Sequence, residues 1–139
     1  MGVTDKGHRY SELCTRNRRR KCLLLTLNHK HKNMFNLFAT KAYKNLNGKE
    51  FKDGYQNASN AVLLDVRTAG EYASGTIKNS KNLDITSPRF VDSISKLDKG
   101  AEYYIFCRSG GRSAQACKIM AKQGLKVYNL SGGIGAWPS

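Results

Sequence analysis

The chain has 139 residues, which fits one domain with a modest core. Hydrophobic residues make up 40% and charged residues 24%, the balance of a chain that mostly folds as a soluble globule, and no stretch approaches the ~20 apolar residues of a bilayer span. The net charge of +14 is unevenly spread: residues 1–33 hold nine Lys/Arg against two Asp/Glu, and residues 34–139 hold fifteen against eight.

Residues 1–33 lack a clear period and read as a basic, solvated, disordered extension. Contact with nucleic acid or an anionic membrane is the weaker alternative for so dense a charge. Arg18, Arg19, Arg20 and Lys21 precede the apolar run CLLLTL. That run is shorter than the roughly 7–15 residues of a secretory core, and NHKHK follows it, so the expected location is cytoplasmic. The four cysteines, Cys14, Cys22, Cys107 and Cys117, include no CxxC pair, which fits free thiols in a reducing compartment. Cys22, His29 and His31 read as solvated linker residues, and no metal site is expected. Met34 opens more ordinary sequence, and we set the folded domain at 34–139.

From about residue 43 strand and helix signals alternate. Asn47 and Glu50 stand in capping-box positions before a helix over KEFKDGYQN. AVLLDV, residues 61–66, reads as a buried parallel strand. Thr68 caps a short helix AGEYAS that stops near Gly75. Residues 81–85 suggest a short strand. Ser87 and Pro88 predict a helix running through Ile94, with Pro in its first turn. EYYIFC, residues 102–107, is an aromatic, β-branched strand ending on a cysteine. RSGG follows, then a helix over RSAQACKIMAKQG with Gly124 at C′ and Ala114, Cys117, Met120 and Ala121 on one face. KVYNL, residues 126–130, is the last strand, and SGGIGAW closes the chain with glycine turns. The predicted class is α/β, an open, mostly parallel sheet flanked by helices.

Cys107 therefore stands at the carboxyl end of a strand, the edge where open α/β sheets bind ligands. Gly110 and Gly111 let successive amides turn inward as an anion nest, a helix N-terminus adds its dipole, and Arg108 and Arg112 bring two positive charges. A free thiol titrates at ~8.5, and one so placed can fall to ~3.5–7.5, leaving a nucleophilic thiolate at neutral pH. The loop from Cys107 to Arg112 is one residue shorter than that of cysteine phosphatases, and suits one sulfur atom better than a phosphate. Cys117, mid-helix on the apolar face, reads as core. Arg67 and Glu71 have the spacing of a structural ion pair. Asp65, at a strand end near the site, is open between a structural role and one of supporting the residues that line the site, and Arg67 stands beside it with the same second possibility.

CRSGGRSA (107–114), LLDVRTAGEYASGTI (63–77) and NLSGGIGAW (129–137), in that order, resemble the rhodanese-like domain family over roughly residues 43–137. The resemblance implies a sulfurtransferase. The thiolate of Cys107 would take sulfane sulfur from thiosulfate or a persulfide donor. It would then pass that sulfur from a Cys107 persulfide to cyanide, a small thiol or a protein thiol, with no metal or cofactor. Arg108, Ser109, Gly110, Gly111, Arg112 and Ser113 would line the site, with Arg112 steering the anionic donor. The alternative is a non-catalytic partner-binding or sulfur-relay module. Thr76 and Lys78 replace the family's frequent His and Pro, departures expected to bear on partner contacts more than on catalysis. The single motif set leaves the loop open to protein thiols.

Overall fold

The structure, a computed structural model, describes residues 42–139. The extension read over residues 1–33, the domain start at Met34, and Cys14, Cys22, His29 and His31 lie outside the described residues. One five-stranded sheet contains β1 (Lys44–Leu46), β2 (Ala61–Asp65), β3 (Lys81–Asn82), β4 (Glu102–Phe106) and β5 (Lys126–Leu130). The order is β1-β5-β4-β2-β3 and every pairing is parallel, so β4 is the central strand. The helices are α1 (Gly48–Asn57), α2 (Ala69–Ala73), α3 (Phe90–Ser95) and α4 (Gly111–Lys122), followed by a 3₁₀ turn over Gly133–Ala136. None is long and apolar enough to cross a membrane.

Strand side chains alternate between faces, so the unbroken apolar run of β4 requires cover on both. Tyr103, Ile105 and Cys107 join Phe90 and Ile94 of α3 and Ala116, Cys117 and Met120 of α4 in one core cluster. Tyr104 and Phe106 join Phe51 of α1 in the other. Phe51 meets Tyr104 edge-on at 5.3 Å and Trp137 at 6.2 Å, a geometry aromatic quadrupoles favour. The predicted capping box starts α1: Asn47 Oδ1 accepts from the Glu50 amide at 2.9 Å, and Glu50 Oε2 accepts from the Asn47 amide at 3.1 Å.

Several predicted boundaries move. The helix expected from Pro88 starts at Phe90, because the Phe90 amide closes a turn onto the Ser87 carbonyl. The strand expected over 81–85 keeps regular pairing only at 81–82. The Leu83 and Ile85 amides then bond the consecutive carbonyls of Asp65 and Val66, which breaks the register. The buried face of α4 is Ser113, Ala116, Cys117 and Met120, rotated from the predicted one because Ser113 turns toward Cys107. β1 was not anticipated. It is a three-residue edge strand whose first two residues are exposed, too short and polar to show a period.

Candidate active site

Cys107 follows the last residue of β4 and lies at the carboxyl edge of the sheet. The chain reverses through Arg108 and Ser109, and Gly110 takes φ +96°, a left-handed conformation that costs glycine little. α4 then begins at Gly111, one residue earlier than expected. This path aims the Gly110 amide at Cys107 Sγ, which it reaches at 3.0 Å, and brings the Ser113 hydroxyl to 3.3 Å as a second donor. The amides of Ser109 and Ser113 act on the same sulfur. Burial is the largest single influence on the thiol and pushes its pKa up. The Ser113 hydroxyl and the three amides together outweigh it, so Cys107 titrates below the ordinary thiol value. The residue has no exposed surface, which places its sulfur on the floor of the loop.

The end of the chain holds this loop from outside. The Ile134 amide donates to the Cys107 carbonyl at 2.8 Å. A Cβ on Gly133 would collide with the Arg108 carbonyl, so only glycine lets the 3₁₀ turn come this close. Asn129, 4% exposed in β5, donates from Nδ2 to Asn45 Oδ1 at 2.8 Å and to the Gly110 carbonyl at 3.4 Å. Its Oδ1 has no partner among the described residues. The sequence reading passed over Asn129, although asparagine inside a strand is disfavoured and signals a special role.

The charged residues do not pair as their spacing predicts. Arg67 does not bond Glu71. It forks onto Asp65, with Nε at 3.0 Å from both oxygens and Nη2 at 2.7 Å from Oδ2. The i, i+4 argument assumed that Arg67 sits on the helix, whereas it precedes Thr68, the N-cap of α2. Arg67 Nη2 also donates to the Gly75 carbonyl at 2.7 Å, and Thr76 Oγ1 to Asp65 Oδ2 at 2.8 Å. Asp65 is fully buried and committed to this network, so it is a scaffold carboxylate. Thr76, one of the two departures from the family pattern, thus bonds the buried Asp65 carboxylate.

Glu71 instead meets Arg112 across 41 positions of sequence: Nη1 donates to Oε2 at 2.7 Å and Nη2 to Oε1 at 2.8 Å. Glu71 Oε2 also accepts from the Thr68 amide at 3.0 Å, completing a second capping box. Arg112 first, and the Thr68 amide second, hold the Glu71 carboxyl down at about 2. Both terminal nitrogens of Arg112 are thus engaged by Glu71, while Arg108 is exposed. The signal for Glu71 was the spacing Thr68-x-x-Glu71.

Cys117 is buried in the core as predicted, and burial pushes its thiol up to about 12. Among the described residues no group of three His, Cys, Asp or Glu side chains converges as a metal site requires. The loop itself can stabilise one anionic sulfur at Cys107, and a second sulfur added to it, through preorganised amides.

The family model for the rhodanese-like domain matches residues 47–139. A sulfurtransferase of Allochromatium vinosum is 38% identical over 82 residues, covering 58% of this chain and 75% of its own. The thiosulfate sulfurtransferase GlpE of Ectopseudomonas mendocina is 35% identical over 81 residues, 58% of this chain and 72% of its own. Among solved structures, a rhodanese-like domain protein of Staphylococcus aureus superposes with a TM-score of 0.61 at 30% identity, over 69% of this chain and 92% of that one. The parallel sheet, the cysteine at the end of its central strand and a family match over most of the described residues agree: the chain belongs to the rhodanese-like domain family.

Proposed function

We propose that the protein is a sulfurtransferase in which Cys107 carries sulfane sulfur as a persulfide. The observation that carries this reading is the convergence of the Gly110 amide and the Ser113 hydroxyl on Cys107 Sγ, which favours the ionised thiol. The thiolate attacks the outer sulfur of a donor such as thiosulfate or an organic persulfide. The new S–S bond forms as the old one breaks, and sulfite or a thiolate leaves with the electron pair. The added sulfur lies under the same amides until cyanide, a small thiol or a protein thiol removes it. Arg108, on the exposed rim, supplies the positive field at the entrance. Sulfurtransferase names among the relatives support the same reaction class.

Intact mass spectrometry after incubation with thiosulfate, and separately with an organic persulfide, tests the reading. The expected result is a gain of one sulfur atom that is absent from Cys107→Ser. A protein that gains no sulfur from either donor overturns it.

A further inference from the structure

The arginine that the loop sequence offers for anion binding is occupied. Both terminal nitrogens of Arg112 bond both oxygens of Glu71, at 2.7 and 2.8 Å. Glu71 is itself fixed by the Thr68 amide and hydroxyl, each at 3.0 Å, so the pair is braced from α2 and cannot swing freely toward a ligand. Arg112 lies close enough to Cys107 for the two charges to interact, so the approach to Cys107 is flanked by one ion pair and by the exposed Arg108, the next residue in the chain.

The two plausible classes of sulfur donor respond differently to that charge. Thiosulfate is a dianion, and its attack by a thiolate gathers three negative charges and releases dianionic sulfite. A persulfide R–S–S⁻ gathers two and releases a monoanionic thiolate. Each cation removed from the mouth therefore raises the barrier for thiosulfate more than for a singly charged persulfide.

We propose that Glu71, by neutralising Arg112, sets the donor preference of the Cys107 loop toward singly charged persulfides and away from thiosulfate. This rests on the persulfide mechanism given above. Glu71 acts through Arg112 and touches no reacting atom, so it is a specificity-determining residue and not a catalytic one. The same logic gives Arg112→Ala two effects in one direction: it removes a cation and leaves the Glu71 carboxylate bare beside the mouth.

The test compares single-turnover loading of Cys107 by thiosulfate and by 2-mercaptoethanol persulfide generated in place. Glu71→Gln keeps an oxygen for the Thr68 amide, so the capping box survives while the charge is lost. The expected result is a rise of about fivefold in the ratio of thiosulfate to persulfide loading rates. In a second arm, Glu71→Ala added to Arg112→Ala restores thiosulfate loading relative to Arg112→Ala alone. A ratio that stays constant or falls, with both donors still loading, overturns the inference and leaves the Cys107 mechanism standing. Should Glu71→Gln fail to fold, the second arm decides: a double variant no faster with thiosulfate than Arg112→Ala overturns it. Loading from neither donor in the native protein sinks the mechanism itself, which is a separate and distinguishable result.

Discussion

Cys107 is an acid whose strength is set by a handful of donors, and the Ser113 hydroxyl is the side chain among them. Replacing it tests that statement directly. Ser113→Ala removes one hydrogen bond to the thiolate and leaves the amides, so the Cys107 pKa rises. The sulfur-loading rate depends on thiolate, so its rising limb moves to higher pH in the variant. A pH series of single-turnover loading measures the shift, and an unmoved limb counts against the hydroxyl. Stability follows the same sign. A thiol lowered by folding contributes stability above its unfolded pKa, and that contribution is lost as pH falls through the folded value. At this scale the sequence was legible where the site is contiguous, from Cys107 through Ser113. It was illegible at Arg112, whose partner is 41 positions away and whose spacing argument pointed to Arg67 instead.

The second helix shows how an element smaller than two turns is held in place. α2 has five residues and buries none of them, so packing alone does not fix it. Its start is fixed by the Thr68–Glu71 box, and the chain beyond its end is fixed by the Asp65–Arg67 pair through Gly75 and Thr76. Asp65→Ala leaves the guanidinium of a side chain only 8% exposed without its partner. Such a loss costs about 3–5 kcal/mol, measurable as a shift of the urea midpoint. Asp65→Asn, which keeps the hydrogen-bond acceptor, is expected to lose less. Equal losses in the two variants would count against the retained acceptor and assign the loss to the missing charge. Sequence patterning found this helix and its cap because caps are local. It missed the clamp at the far end because that bond joins a strand end to a loop. The edge elements β1 and β3 were misjudged for a related reason: they are defined by neighbours, and two or three residues carry no period.

Across the whole molecule, the parallel sheet imposes long-range closure. β1 pairs with β5, and the Ser131 amide donates to the Leu46 carbonyl at 2.9 Å, joining the first and last strands of the sheet. Among the described residues, two core clusters cover the two faces of this one sheet. We therefore expect a fragment of residues 42–139 to unfold cooperatively, with a melting midpoint within about 4 °C of the full chain. A broad or much lower thermal transition would show that the preceding residues are needed for folding. The fold class was readable because strand and helix signals alternate, a pattern few architectures satisfy. The sheet order was not readable, because pairing between distant parallel strands leaves no local trace.

The clasp between the 3₁₀ turn and Cys107 also has a consequence in time. During synthesis Cys107 leaves the ribosome well before Ile134, whose amide bonds the Cys107 carbonyl, and before Gly133, which packs against the Arg108 carbonyl. A nascent polypeptide stalled between these points has the thiol without the full frame that aims donors at it. The surroundings of Cys107 are thus completed only after the residues through Ile134 have been made, and a product stalled before them is expected to be chemically quiet.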